Sequence, residues 1–261
     1  MGTRKSREGF FEVKRCTTLA KAHNPLEQFE IQPLIPIKLG DLDASFTNSS
    51  AFMVLAVITT TALMVLVVKP RASIPGRWQL IAELSYEFIA KMVSDNIGKA
   101  GKPYFSFIFT IFMFVLFGNL FGMLPYSFTF TSHLAVTLTM AAVIFILVTL
   151  IAFLKHGIHF FSFFLPAGVP IFLAPLLIAI EVISYFTRPF SLSIRLFANM
   201  MAGHTLLKVV GGFIFPLGIL GIVPLAGLVA ITGLEFLIAF LQAYIFTILT
   251  CIYINDAINL H

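Results

Sequence analysis

The sequence predicts an all-α integral membrane protein with about five membrane passages, including two long slanted helices, plus one amphipathic surface helix. Three observations carry this. Hydrophobic residues make up 59% of the 261 residues and charged residues only 11%, with a mean hydropathy of +0.97; a soluble domain cannot cover that much apolar surface. The apolar residues fall into runs near the roughly 20 residues that a helix needs to cross a bilayer. One interrupted segment instead interleaves apolar and charged residues at helical spacing.

Taken in order, residues 1–45 read as an N-terminal tail of open role and 46–261 as a single membrane domain. The first span, about 51–68, stops at the basic, Pro- and Gly-containing stretch KPRASIPGR. Segment 77–99 places Leu80, Ile81, Leu84, Phe88, Ile89, Met92 and Val93 at helical spacing among Glu83, Glu87, Lys91 and Asp95. That pattern reads as a helix on the membrane surface. Further spans follow at about 104–124, stopped by Pro125, and 134–154, stopped by KHG. A long helix at about 170–212 and a final one at about 225–255 flank a hairpin marked by Pro216, Gly218, Gly221 and Pro224. A helix of about 40 residues is roughly 60 Å long, twice the hydrocarbon thickness. It must tilt, break near Pro189 or lie partly in the membrane plane.

Basic residues near the span ends set the expected orientation. Lys69, Arg71, Arg77, Lys91, Lys99 and Lys102 follow the first span, whereas 125–133 holds no Lys or Arg. The first loop is therefore expected inside and the second outside. The basic residues between Arg4 and Lys21 run against this, but they lie far from the first span, where the rule weakens. The net charge of +5 reads as this loop bias, not as a nucleic-acid footprint. Cys16 and Cys251 have no metal-ligand spacing. No glycine-rich phosphate loop appears, so no nucleotide site, cofactor or metal is expected.

Between Phe160 and Asn255 the only charges are Glu181, Arg188, Arg195, Lys208 and Glu235. Charges at membrane depth are costly and usually face protein or a water-filled cavity. At about 100° per residue, Glu181, Arg188, Ser191, Arg195 and Asn199 fall within about 40° of one line, with Pro189 loosening the phase upstream. His204 points about 180° away from Arg195 and about 13 Å further along. Glu235 and Gln242, seven residues apart, share a face of the final helix. Bland readings stand beside these. Arg195 could form a structural ion pair with Glu235 or Glu181, and His204 could be a packing histidine. Gln242 and Asn119 could be glue between helices, and Lys208 an end charge facing the interface. Arginine stays protonated and cannot carry a proton, whereas His and Glu can. One arginine between two sets of titratable groups implies two half-pathways separated by an electrostatic barrier.

The stretches GNLFGMLPYSFTFTSH (118–133), FFLPAGVPIFLAPLLIAIEVIS (163–184), SLSIRLFANMMAGH (191–204) and TGLEFLIAFLQAYIFTILTCIYINDAINLH (232–261) resemble subunit a of the F-type ATP synthase. The NPLEQF start at 24–29 and the INDAINLH ending resemble its mitochondrial and alphaproteobacterial branch. The resemblance implies a non-catalytic, proton-conducting stator in a mitochondrial or alphaproteobacterial inner membrane. Its implied partners are the c-subunit ring, subunit b, other stator subunits of the membrane sector, and lipid. It puts the essential arginine on Arg195, opposite a ring carboxylate. It puts the outer half-channel on His204, Glu235 and Gln242, lined by Asn119 and Asn199, and the inner one near Glu181. His204 and Glu235 carry residue types that some bacterial members hold in exchanged order, so the two are expected to touch. An ion-coupled secondary transporter on broken helices and a purely structural scaffold are the rival readings. Sodium in place of the proton as the coupling ion is a third variant.

Overall fold

The computed structural model describes residues 29, 31–36, 38–39, 42–43, 45–68, 76–124, 127–157, 160 and 172–259. Residues 1–28, the 69–75 breaker, Pro125 and the last two residues lie outside them.

The fold is helical. Among the described residues six α-helices follow one another: α1 (Asn48–Val68), α2 (Arg77–Ile97), α3 (Phe105–Gly122), α4 (Leu134–His156), α5 (Ala174–Gly212) and α6 (Ile222–Ile258). Five helical stretches among the described residues are long and apolar enough to cross a membrane, α2 and α3 counting as one. Among the described residues four short strands precede α1 and modify the all-helical expectation only at the edge. The outer pair, β1 (Pro33–Ile35) and β4 (Phe46–Thr47), runs antiparallel and encloses a second antiparallel pair, β2 (Lys38–Leu39) and β3 (Leu42–Asp43). This nested turn leads directly into α1, whose first turn is capped because Ser50 N donates to Thr47 Oγ1 at 3.4 Å.

Local chemistry explains the ends. Gly98 (φ 72°) and Gly157 (φ 57°) close α2 and α4 in backbone conformations that a side chain disfavours. Pro175 sits in the first turn of α5, where no intrahelical donor is needed. Pro189 leaves the Tyr185 carbonyl without its helical N–H, yet α5 runs through it as one helix. The break considered at Pro189 therefore does not occur, and the helix keeps its length.

The final helix is the hub. α6 packs on α2, α3, α4 and α5, while α1 sits against α3 and α2. The shared core joins Ile108, Phe112 and Val115 of α3, Leu192 and Leu196 of α5, and Ala243, Phe246 and Ile254 of α6. Hydroxyl pairs stitch α4 to α5: Thr137 to Ser193 at 3.0 Å and Thr149 to Tyr185 at 2.7 Å. Ser and Thr bonds of this kind hold helices where burial of oil against oil gives little preference. α2 is divided. Ile89, Met92, Val93 and Ile97 are buried in the core, while Leu80, Ile81 and Leu84 of its first half stay exposed. The apolar face read from the sequence is thus a packing surface at one end and a free surface at the other.

Candidate functional site

The polar stripe of α5 splits into two kinds of residue. Ser191, Arg195 and Asn199 lie on the open face of the helix, away from buried Leu192, Leu196 and Met200. Arg195 makes no ion pair or hydrogen bond among the described residues, so neither Glu235 nor Glu181 is its partner. Glu181 is half-buried. Arg188, one heptad before Arg195, behaves differently. Its Nη1 donates to Asp256 Oδ2 of α6 at 3.0 Å. Its guanidinium also lies over the rings of Tyr185 and Tyr253, at 5.7 Å and 5.3 Å from their centroids. That geometry gives a cation both a counter-charge and two π faces.

Toward the C-terminal half of α5 the helix pair opens. A cavity of about 220 Å³ is lined by Asn199, Gly203 and His204 of α5, by Leu234, Glu235 and Ile238 of α6, and by Met123 beyond α3. At about 30 Å³ per water it has room for several. Asn199 Nδ2 donates to Gln242 Oε1 at 3.0 Å, bridging α5 and α6. Gln242 therefore faces Asn199 and stands beside the cavity instead of pairing with Glu235. Both carboxylate oxygens of Glu235 and the Gln242 Nε2 are buried without a hydrogen bond among the described residues. A carboxylate in that condition needs water or a proton.

His204 and Glu235, expected to touch, share no hydrogen bond among the described residues. No ion pair joins them among the described residues, although both line the one cavity. Each has another neighbour. His204 Nε2 lies 3.2 Å from Thr129 Oγ1. Glu235 packs on Gly203, where a Cβ would stand 2.5 Å from Oε1. Asn119 also takes a different place. It is fully buried on α3 and donates to the Ala239 carbonyl of α6 at 3.3 Å, outside the cavity lining. Lys208 is exposed.

Three features escaped the sequence reading. Asp256, two residues before the end of the last helix, stands in the INDAINLH ending, where the sequence offers it no partner. Only the packing of α6 on α5 sets it opposite Arg188. The second feature is the segment 127–133, read as an outer loop. It folds inward, burying Phe128, Thr129, Phe130, Thr131 and Ser132. Gly118 and Gly122 of α3 make room, since a Cβ at either would meet Phe130 or Thr129 within 2.6 Å. Its hydroxyl-rich run, T-F-T-S-H, was the available signal. His133, stacked on Phe128 with centroids 5.1 Å apart, is the third. Burial pushes its imidazole below the ordinary histidine pKa, because the charged form loses hydration.

The comparisons with known proteins agree on one family. The family described as ATP synthase A chain matches residues 50–255. "ATP synthase subunit a" of Paramagnetospirillum magneticum is 59% identical over 245 residues, covering 91% of this chain and 99% of that one. Those of Pelagibacter ubique and Rhodospirillum rubrum are each 57% identical, covering 92% of this chain and 99% and 100% of theirs. With its helices, its membrane-depth charges and these matches taken together, the chain belongs to the ATP synthase subunit a family.

Proposed function

We propose that the chain is the proton-conducting stator subunit of an ATP synthase membrane sector, with Arg195 as the barrier between two offset half-channels. The observation that supports this best is the contrast between two arginines on one helix. Arg188 is neutralised inside the chain, whereas Arg195 lies on an exposed face with no ion pair among the described residues. A cation at membrane depth needs a counter-charge, so Arg195 takes its own from a neighbour, the carboxylate of a c-subunit ring. Ser191 flanks it on the same face. Subunit b and other membrane-sector subunits then cover the remaining apolar surface with lipid. The relatives named above are bacterial, which favours a bacterial inner membrane over a mitochondrial one.

On this reading the 220 Å³ cavity is the outer half-channel. Water there reaches His204 and Glu235, both of which can titrate, while Asn199 and Gln242 hold the helix pair at its ring-facing end. Asn119 ties α3 to α6 beside it. A proton delivered near Arg195 neutralises the ring carboxylate, which can then turn through lipid. Glu181 marks the inner exit. Each charge moved contributes about 2.3 kcal/mol per 100 mV. The surface helix α2 and the turn that follows it to residue 102 face the inner side.

The test is ATP-driven acidification and ATP synthesis in membrane vesicles carrying the assembled enzyme. Arg195→Ala is expected to abolish both and to leave a passive leak. Arg195→Lys is expected to fail as well, since lysine lacks the planar fork and loses its proton more readily. Normal coupled synthesis in Arg195→Ala would overturn the assignment. Transport that disappears in sodium-free buffer would transfer the route to sodium. Cysteines placed at 191 and 199 are expected to crosslink to the ring subunit, and one at 197 is not.

A further inference from the structure

The buried segment after α3 holds a hydroxyl whose geometry decides how His204 carries its proton. Thr129 Oγ1 donates to the Gly122 carbonyl at 3.2 Å and also lies 3.2 Å from His204 Nε2. A threonine hydroxyl has one proton and two lone pairs. The Gly122 carbonyl is one of the last in α3, where the helix provides no donor, and it can only accept. The hydroxyl proton therefore goes to Gly122, and the contact with the imidazole requires Nε2–H as the donor. Nδ1 makes no hydrogen bond among the described residues, and His204 lines the cavity that Glu235 shares.

We propose that Thr129 is a positioning residue that fixes neutral His204 in its Nε2–H tautomer, leaving Nδ1 as the nitrogen that accepts a proton from the cavity. The site is built for this. Thr129 is buried, and its side chain is seated on Gly122, where a Cβ would come within 2.6 Å of Cγ2 and 2.7 Å of Oγ1. Ser132 Oγ donates to the Thr129 carbonyl at 2.6 Å, and Ser132 N to the same oxygen at 3.2 Å, so the residue is held from both sides. Glu235 stands across the cavity, and Lys208 one helical turn further along α5. In the relay a proton from cavity water binds Nδ1, giving an imidazolium that keeps its Nε2–H on Thr129. The same Nδ1 proton then passes on through the cavity, and the neutral Nε2–H form returns. The ring does not flip and Thr129 neither gains nor loses a proton.

This rests on the reading of His204 as a proton relay, and the experiment separates the two. Histidine labelled with 15N and 13C is introduced into the assembled enzyme in lipid vesicles, and the His204 signal is identified by its loss in His204→Gln. At a pH where His204 is neutral, the protonated nitrogen is expected to correlate with Cδ2, which marks it as Nε2. Thr129→Ser is expected to keep this signature and pump within about twofold of wild type. Thr129→Val is expected to lose it and pump about tenfold more slowly. His204 protonated on Nδ1 in the wild type overturns the proposal, as does Thr129→Val with an unchanged spectrum. Where Thr129→Val fails to assemble, the wild-type and Thr129→Ser spectra decide. If His204→Gln pumps normally while the wild-type signature is Nε2–H, the relay reading fails and the placement by Thr129 stands.

Discussion

The two halves of the α5–α6 pair solve the same problem in opposite ways. In the N-terminal half of α5, Arg188 meets Asp256 at 3.0 Å between two tyrosine rings, around a cavity of only about 20 Å³. In the C-terminal half, Arg195 stays open, and beyond it the helices part around about 220 Å³ with an unpaired carboxylate on the wall. Both halves use the same two helices, and each sets an arginine on one and a carboxylate on the other. What differs is the size of the facing side chains. Tyr185 and Tyr253 fill the first gap, whereas Ala202 and Gly203 leave the second one open. Closed packing makes a charge structural, and open packing leaves it available to water or to a partner.

The comparison can be broken most sharply at the arginines. Arg195→Lys is expected to reduce ATP-driven pumping more than about 100-fold, while Arg188→Lys retains most of it, since a lysine still reaches a single carboxylate as a point charge. Vesicle acidification assays on both variants check this, and equal losses would erase the distinction. At the cavity, Glu235→Gln and His204→Ala should each slow pumping by about 10-fold to 100-fold, the range that positioned acid–base groups approach. Rates in the double variant should be close to the worse single one if the two act in series on one route.

Packing sets the next effect. Gly203→Ala forces the Glu235 carboxylate to move, because the added Cβ would be 2.5 Å from Oε1. The atoms met belong to the far end of a flexible side chain at the cavity wall, so the carboxylate swings aside at little cost in stability and the effect falls on its position. A several-fold fall in pumping is expected, partly restored when Glu235 is shortened to aspartate. Asp256→Asn keeps the shape but removes the charge opposite Arg188. A hydrogen bond to a charged group is worth about 1.5–3 kcal/mol, and the pair is partly exposed, so thermal unfolding of the assembled enzyme should show a loss at the lower end. Lys208→Gln, at an exposed site, should change stability by less than about 0.5 kcal/mol, measured in the same unfolding assay.

The sequence by itself determined the helical membrane fold, because hydrophobic run length is a local property and a bilayer accepts only structures that satisfy their own backbone. It also singled out Arg195, since helical phase places Ser191, Arg195 and Asn199 on one face without reference to any other element. Glu235 and Gln242 were legible as a pair on one face for the same reason. Their partners were not. Gln242 bonds Asn199, Glu235 rests on Gly203, and His204 turns to Thr129. Those choices depend on where α3, α5 and α6 come together and on glycines that let one chain segment approach another. Asp256 and the buried segment 127–133 were passed over for a related reason. Their importance comes from contacts across 68 and 75 positions of sequence, and only the tertiary structure makes such distant residues neighbours.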